Sequence, residues 1–510
     1  MEASSLQIYW HESQPIYSIS FQPSLPGSSG APRLVTAGGD NKARVWQLNF
    51  DSERPGKVDS IDFLSSLTQH EQAVNVARFN PSGDVLATAG DDGLLLLWKK
   101  NDTIVKEFGI DDDEFADFKE SWCVVEKLRT VSTIGTSEIY DLAWSPCAKY
   151  IVTGCMDNGV RIFDIAEKTC VAHVVEHNHY VQGVVWDPQN EYIISQSADR
   201  SVHIYKIETS TEGHITGLKL HHKIMKGDLP RREEHDPRFL VRSEAKSAYL
   251  FHNETLPSFF RRLTTSPCGS ILCVPTGVFK ANSEGECTNQ ELSNAVYIYT
   301  RSSLKLRNST PIVALPFLRK PALVVRFSPI LYKIETGVEP WIQLPYKLVF
   351  AVATSTEVVI YDTVTTKPIA VVGNLHYTPL TDLSWSDSGH LLVVSSTDGF
   401  CSYISMEDSL FGEPYSSEAQ RTDSLIPSTP KSNIFRNTLR SNPVNVKRKH
   451  SVGGHNDSPI KRAAKKVSPL SPVVVDEGSA PAPQPPTPSK DLKPRRRIQP
   501  VLVNDNNGGT

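Results

Sequence analysis

Histidine and aspartate recur along the chain in pairs whose side chains could exchange a proton, so general acid–base chemistry is the first function to consider. Such chemistry needs further machinery, and the sequence contains no nucleophile elbow, P-loop or HExxH motif. A pair that repeats is more typical of a structural hydrogen bond, which indicates a noncatalytic protein without a cofactor. The pairs are His11 with Asp40, His70 with Asp92, and His177 with Asp199.

Each of these aspartates lies in a turn that leads into a short apolar strand. The stretch Gly38–Trp46 reads GGDNKARVW, and variants of it return four more times. In every copy an aspartate stands six positions before a bulky apolar residue, as in WD-type repeats, whose period is roughly 40–45 residues. The sequence therefore predicts that the following residues hold blades together: His11, Asp40, Trp46, His70, Asp92, Trp98, Asp157, His177, Asp199 and Asp398.

These repeats predict an all-β fold, a seven-bladed WD40 β-propeller over residues 1–406 followed by a disordered C-terminal tail over residues 407–510. The strand Leu6–Trp10 is expected to complete the last blade and remove an exposed edge. After Met406 the apolar periodicity is lost, so the tail cannot bury enough surface to fold alone. Polar insertions, read as loops between strands, are predicted at about 101–133, 209–250, 281–294 and 335–344.

Charge is unevenly distributed along the chain. The tail carries 16 lysines and arginines against 10 acidic residues, a balance of +6, which leaves −10 for the preceding residues because the whole chain carries −4. An acidic body with a basic tail suggests a protein that meets other macromolecules. The eight cysteines lack CxxC spacing, and His221, His222 and His235 lack ordered spacing, so neither set predicts a metal site.

The amino terminus has no signal-peptide pattern, and no stretch approaches the roughly 20 apolar residues that span a bilayer. We therefore expect a nuclear or cytosolic chain without a membrane segment. Two basic clusters within residues 447–466 have the makeup of a bipartite nuclear-localisation signal, although the same charges could contact DNA phosphates nonspecifically. The clusters comprise Lys447, Arg448, Lys449, Lys461, Arg462, Lys465 and Lys466.

Five residues in the tail precede proline and are candidate sites for proline-directed kinases. A phosphate at these positions would weaken the contacts of neighbouring basic residues. The alternative is a tail that is merely rich in serine and proline. The candidates are Thr429, Ser458, Ser468, Ser471 and Thr487.

Residues 493–503, KPRRRIQPVLV, form an apolar run in an otherwise polar tail. In an extended chain Ile498, Pro500 and Leu502 lie on one face. The three arginines before them can bind an acidic surface bidentately. This makeup predicts a peptide that adds a strand to another protein's sheet; the alternative, a third basic signal, would not need the apolar half.

The repeats resemble the WD40 middle subunit of chromatin assembly factor 1, a family related to HIR/HIRA-type histone regulators. RRRIQP resembles the B-domain motif by which both families dock the anti-silencing-function histone chaperone, which implies docking through Arg495, Arg496, Arg497, Ile498 and Pro500, with Val501 and Leu502. The stretches that carry the resemblance are YVQGVVWDP (Tyr180–Pro188), LPSFFRRL (Leu256–Leu263), LPYKLVFAVAT (Leu344–Thr354) and HYTPLTDLSWSDSGHLLVVSSTDGFCS (His376–Ser402).

The resemblance implies a noncatalytic nuclear subunit of a heterotrimer that deposits histones three and four on newly replicated DNA. The implied partners are the large and small subunits of that complex, the anti-silencing chaperone, histones three and four, and indirectly the replication clamp. DNA would be bound at most nonspecifically. A HIR/HIRA-type, replication-independent chaperone subunit and a generic WD40 scaffold, such as a ubiquitin-ligase receptor, remain as alternatives.

Overall fold

A ring of seven four-stranded antiparallel sheets accounts for most of the folded chain. The innermost strand of each sheet contacts the innermost strand of the next, and the seventh contacts the first, so the ring is closed. The predicted seven-bladed propeller is therefore confirmed. The computed structural model describes residues 1–415 apart from 7, 25–30, 52–55, 107–109, 111, 133–134, 228–229, 233–239, 243–247, 281–291, 307–309, 336, 339 and 408.

Blades are numbered in chain order, and each begins with its innermost strand. Strand β1 (Glu2–Leu6) is followed by blade 1, which consists of β2 (Ile16–Phe21), β3 (Arg33–Gly38), β4 (Ala43–Phe50) and β5 (Val58–Leu67). Blade 2 consists of β6 (Val74–Phe79), β7 (Leu86–Gly90), β8 (Leu94–Lys100) and β9 (Trp122–Arg129), and helix α1 (Asp112–Ala116) lies between its last two strands. The hairpin of β10 (Val131–Ser132) and β11 (Gly135–Thr136) leads to blade 3, which consists of β12 (Ile139–Trp144), β13 (Tyr150–Cys155), β14 (Val160–Asp164) and β15 (Thr169–Val174).

Blade 7 differs from the others because its outermost strand is β1, from the amino terminus. Blade 4 consists of β16 (Val181–Trp186), β17 (Tyr192–Ser197), β18 (Ser201–Thr209) and β19 (Ile215–Ile224), and it is followed by the short strands β20 (Lys226–Gly227), β21 (Pro230–Arg232), β22 (Leu240–Arg242) and β23 (Ala248–Tyr249). Blade 5 consists of β24 (Thr264–Thr265), β25 (Ile271–Lys280), β26 (Leu292–Thr300) and β27 (Val313–Leu318), with helix α2 (Arg301–Leu304) between its last two strands. Blade 6 consists of β28 (Ala322–Tyr332), β29 (Lys347–Thr354), β30 (Glu357–Asp362) and β31 (Ala370–Gly373), and blade 7 adds β32 (Leu380–Trp385), β33 (Leu391–Ser396) and β34 (Cys401–Ser405) to β1.

The recurring aspartate is explained by the turn between the second and third strands of a blade. One oxygen of its carboxylate accepts from the backbone N–H two residues later, as in Leu94 to Asp92 over 3.0 Å. The residue directly after the aspartate has a positive φ, which favours glycine and asparagine. The five residues in that position are Asn41, Gly93, Asn158, Arg200 and Gly399.

The amino-terminal strand closes the ring, but it lies earlier than predicted. Strand β1 pairs antiparallel with β34, from Glu2 opposite Ser405 to Leu6 opposite Cys401. The segment after Leu6 bends instead, and Trp10 packs edge-on against Trp46 with ring centroids 4.8 Å apart. The apolar-aromatic pattern of Leu6–Trp10 therefore marked a buried side chain rather than a strand.

Two of the insertions predicted as loops contain the outermost strands of their blades. Strand β9 lies within residues 101–133, together with α1, and β19 lies within residues 209–250. One face of each strand is exposed and polar, so their apolar signal in sequence is weak. Residues 281–291 lie outside the described part of the chain, whereas 292–294 already belong to β26, and the described residues of 335–344 form neither helix nor strand.

The packed chain continues beyond the predicted boundary at residue 406. Phe411 is 3% exposed and packs against Tyr332 and Trp385, with ring centroids 5.5 and 6.3 Å away. Pro414 forms an isolated antiparallel bridge with Tyr332. None of the helices in the described part of the chain is long and apolar enough to cross a membrane.

Candidate functional site

Blade 1 holds a linear series of hydrogen bonds between four side chains. His11 Nδ1 lies 2.7 Å from Asp40 Oδ1, and its Nε2 lies 2.8 Å from Thr36 Oγ1. The Trp46 indole donates to the same hydroxyl over 2.9 Å. Because the hydroxyl accepts from Trp46, it can donate its own proton to Nε2, which leaves Nδ1–H to donate to Asp40. Both ring nitrogens are thus occupied.

The protonation states of His11 and Asp40 follow from their burial. Removal of the His11 ring from water lowers its pKa more than the hydrogen bond and charge of Asp40 raise it. Burial alone would raise the pKa of Asp40, but its hydrogen bond and electrostatic interaction with His11, together with the charge of Arg44, outweigh burial and lower that pKa. The pair therefore consists of a neutral ring and a carboxylate, an arrangement that stabilises the turn and has no open position for a substrate.

Blade 2 repeats the arrangement closely. His70 lies 2.8 Å from Asp92 and 2.7 Å from Thr88, and Trp98 donates to Thr88 over 2.8 Å. The same four residue types at equivalent positions make the same contacts in two neighbouring blades, which favours a structural role over a catalytic one.

The aspartates of blades 3 and 7 have different partners. Asp157 forms an ion pair with Arg161, four residues later, instead of bonding to a histidine. Asp398 bonds to Nδ1 of His376 over 3.0 Å. This fourth histidine pair was missed by the sequence analysis, although His376 precedes its aspartate by 22 residues, as His70 precedes Asp92.

Blade 4 contains the one group of described residues that could be mistaken for a metal site, namely His177, Asp199 and His203. His177 already bonds to Asp199 over 3.0 Å and to Ser195 over 2.7 Å. The His203 ring stacks on the His177 ring with centroids 3.6 Å apart and an interplanar angle of 8°. Lone pairs of parallel stacked rings do not converge on one ion, so this geometry fits packing rather than coordination. His221 and His222 lie on β19, and His235 lies outside the described residues.

A buried arginine on the propeller axis joins more blades than any of these pairs. The Arg262 guanidinium donates to the carbonyl oxygens of Tyr17 (2.8 Å), Asn75 (2.8 Å) and Thr381 (3.1 Å), which belong to the inner strands of blades 1, 2 and 7. Its backbone N–H donates to the Leu323 carbonyl, in the inner strand of blade 6. One side chain, fully buried, thus holds the inner strands of several blades at fixed distances.

Two carboxylates form ion pairs with this buried guanidinium group. Asp382 is also fully buried and lies 3.3 Å from Arg262, 2.7 Å from Arg78 and 3.2 Å from Arg326. Asp141 lies 3.4 Å from the Nε of Arg262. Burial alone would raise the pKa of Asp382, but the charges of Arg262, Arg78 and Arg326 hold it well below the usual range. None of these residues was predicted from the sequence as a functional site.

A glycine in blade 4 makes room for the segment that carries the axial arginine. A Cβ at Gly183 would lie 2.0 Å from the carbonyl oxygen of Arg261. The Arg261 N–H donates to the Gln182 carbonyl over 3.1 Å, which draws the two backbones together. Phe260 packs with Tyr17 beside this contact. The segment therefore crosses the end of the axial channel at which the inner strands begin.

From this segment towards the ends of the inner strands, the axial channel remains open. Its cavity has a volume of about 400 Å³ and is lined by residues from the inner strands of blades 1, 2, 3, 4, 6 and 7, together with Leu263, which directly precedes the inner strand of blade 5. Arg78 and Arg326 reach into it, and aromatic side chains, including Trp144 and Trp385, form its walls. The cavity opens at the end where the inner strands finish, so it is a blind pocket on the propeller axis.

The tail residues predicted to bind partners, direct nuclear import or accept phosphate lie outside the described residues. These are Arg495, Arg496, Arg497, Ile498, Pro500, Val501 and Leu502; Lys447, Arg448, Lys449, Lys461, Arg462, Lys465 and Lys466; and Thr429, Ser458, Ser468, Ser471 and Thr487.

Comparison with known proteins places the fold in a specific family. Residues 1–410 match the model of the CAF1B/HIR1 β-propeller domain. The chain is 49% identical to the CAF1B protein of chromatin assembly factor 1 from Saccharomyces cerevisiae, over 83% of this chain and 90% of the relative. The chain belongs to the CAF1B family. The corresponding chromatin assembly factor 1 protein of Schizosaccharomyces pombe is 38% identical (81% and 89% covered), and the protein HIR1 of Yarrowia lipolytica is 26% identical (79% and 37% covered).

Three of the four stretches that carry the resemblance to the CAF1B family meet at the segment that holds the axial arginine. LPSFFRRL supplies Arg262, YVQGVVWDP supplies Gly183, and HYTPLTDLSWSDSG supplies Asp382. These segments lie far apart in sequence, and only the closed ring brings them together. The axial contacts therefore give those stretches a common physical role within this family fold.

We predict that Gly183→Ala destabilises the propeller by about 1–3 kcal/mol or more, because the added methyl group would push the Arg261 backbone away from the axis. Gly217→Ala in the same blade is the control, since its Cβ would meet only Glu208 Oε2, at 3.4 Å. Urea unfolding of the two variants and the parent chain measures the difference. Equal stability of the two variants would contradict the close approach at Gly183.

We also predict that acid weakens the fold through His11. Because its pKa in the folded chain lies below the ordinary value of 6.5, protons favour the unfolded chain, and the stability given by the neutral ring is lost as the pH falls below 6.5. The unfolding free energy of His11→Gln should accordingly depend less on pH, by up to about 1.4 kcal/mol per pH unit between about pH 6.5 and pH 5. Parallel pH profiles for parent and variant would refute this.

Proposed function

We propose that this chain is a noncatalytic subunit of a chromatin assembly factor 1 complex that acts as a histone chaperone in replication-coupled deposition of histones three and four. The observation that carries the proposal is the 49% identity to the Saccharomyces cerevisiae CAF1B protein across 90% of that relative's length. Similarity of this extent covers nearly the whole relative, so it supports a shared role in assembly and not only a shared fold.

A HIR-type, replication-independent role is the second candidate. Its support is the family model, which covers both CAF1B and HIR1 propellers. The HIR1 protein of Yarrowia lipolytica is only 26% identical and matches over 37% of its own length. The CAF1B role is therefore the better supported of the two, and the generic WD40 scaffold has no specific observation in its favour.

The noncatalytic role is supported by what the histidine and aspartate side chains contact. His11 and His70 each bond through both ring nitrogens to residues of their own blade, and the polar contacts of Arg262 join neighbouring strands. Such side chains position strands and do not present a reactive group. The propeller would then act as an assembly scaffold that holds the large subunit.

The tail peptide KPRRRIQPVLV would dock the anti-silencing-function histone chaperone, from which histones three and four reach the complex. Its three arginines suit an acidic surface, and Ile498 and Pro500 suit an apolar groove beside it. The basic clusters within residues 447–466 would direct import into the nucleus, and phosphates on the Ser-Pro and Thr-Pro sites would modulate these contacts. The replication clamp would be reached through the large subunit.

The experiment that tests complex membership is affinity purification of the tagged full chain followed by mass spectrometry. We expect recovery of the large subunit, a small WD40 histone-binding subunit, and histones three and four. Recovery of HIR-complex subunits without the large subunit would favour the second candidate. Recovery of a ubiquitin ligase without histones would contradict both chaperone roles.

The peptide assignment is tested by the double variant Ile498→Asp with Pro500→Ala. Loss of an apolar anchor together with burial of a charge should weaken binding to the anti-silencing chaperone by at least ~2 kcal/mol, or about 30-fold, in calorimetry. The matched control is Val474→Asp with Pro472→Ala, which makes the same kinds of change elsewhere in the tail. Heterotrimer assembly should survive in both variants, and unchanged affinity of the first would refute the assignment.

A further inference from the structure

The blind channel on the propeller axis has charged groups at its inner end that the fold does not fully use. Arg78 donates from Nη1 to Ser18 Oγ and the Ile19 carbonyl, at 2.7 and 2.9 Å, and from Nη2 to Asp382 at 2.7 Å. Arg326 makes one hydrogen bond within the described residues, from Nη2 to Asp382 at 3.2 Å. Its side chain is 22% exposed and lines the cavity, so guanidinium N–H groups that Asp382 does not occupy are accessible to a ligand there.

The charges around this end of the channel are not balanced. Three guanidinium groups, Arg78, Arg262 and Arg326, surround the two carboxylates of Asp141 and Asp382. Burial lowers the pKa of Arg326 to about 10, although the attraction of Asp382 and Asp141 outweighs the repulsion of Arg78 and Arg262 and partly offsets that burial. The cluster thus carries one excess positive charge beside a cavity that is open to solvent, and one further anion would neutralise it.

The walls and rim of the channel limit which anion fits. Phe79, Trp144, Phe327 and Trp385 line the cavity, so an anion carried on an apolar stem would replace water at those walls. Asp387 also lines the cavity and accepts a hydrogen bond from the Ser24 N–H. A second negative charge on the ligand would be repelled by Asp387, which favours a monoanion over a phosphate dianion.

We propose that the axial channel binds the side-chain carboxylate of a glutamate carried by an acidic peptide segment of a partner protein. The carboxylate would accept two hydrogen bonds from the free edge of Arg326, the geometry that guanidinium and carboxylate groups prefer. The two methylene groups of glutamate would lie between the aromatic walls. A cavity of about 400 Å³ accommodates this side chain with part of a neighbouring residue. This proposal does not depend on the identity of the complex in which the chain works.

The test compares two probes that differ only in charge, acetyl-Leu-Glu-Leu-amide and acetyl-Leu-Gln-Leu-amide, with the full chain. Binding is followed by tryptophan fluorescence, because Trp144 and Trp385 line the cavity. We expect the glutamate peptide to bind about tenfold more tightly or better, since a hydrogen bond to a charged group is worth more than one to an amide. Inorganic phosphate is added as a competitor and should displace the peptide poorly.

Arg326→Gln should abolish the preference for glutamate, and Arg129→Gln is the control because Arg129 is an exposed arginine of β9, away from the cavity. Ala143→Phe supplies an independent test, because Ala143 lines the cavity and a larger side chain there would block it without changing any charge. If Arg326→Gln fails to fold, Ala143→Phe decides, and thermal unfolding verifies its fold. Equal binding of both peptides or retained binding in Ala143→Phe would overturn the proposal. Displacement of the glutamate peptide by phosphate at a concentration below that of the peptide would overturn it as well.

Discussion

The burial of Arg262 is the constraint on which the centre of the propeller depends. A guanidinium group removed from water is costly unless its donors and its charge are matched. Here carbonyl oxygens from three inner strands accept hydrogen bonds from its terminal nitrogens, and Asp382 and Asp141 form ion pairs with it. Each partner belongs to a different part of the chain, so the matching exists only once the ring has closed. Closure of the ring and burial of the charged arginine and carboxylates therefore depend on each other.

This constraint also accounts for the irregular fifth blade. Its innermost strand, β24, has two residues, because the chain before it crosses the axis instead of running along it. Arg262 forms a parallel bridge with Val324 of blade 6, in place of the ladder that an ordinary inner strand would begin. The close approach at Gly183 and the blind end of the channel are consequences of the same path.

Local patterns predicted the ring of blades well, because each aspartate turn is encoded within a few residues. Long-range features were less accessible. The outer strands β9 and β19 are half exposed and polar, so they looked like loops, and Trp10 looked like part of a strand because burial and strand pairing both favour aromatic residues. Arg262 was missed because arginine is rarely buried, and its partners Tyr17, Asn75 and Thr381 are more than a hundred residues away. The family resemblance included its stretch, but only the contacts give that stretch a physical role.

The pairing of β1 with β34 has a consequence for the order in which the molecule is made. Residues 2–6 are synthesised about 400 residues before their partners, residues 401–405. Until then the first strand has no neighbour, and blade 7 cannot be completed. Closure of so long a loop adds only a modest entropic cost, because that cost grows with the logarithm of loop length. Blade 7 can therefore be completed only after residues 401–405 have been made, and until then a nascent chain must keep the strand of residues 2–6 from pairing elsewhere.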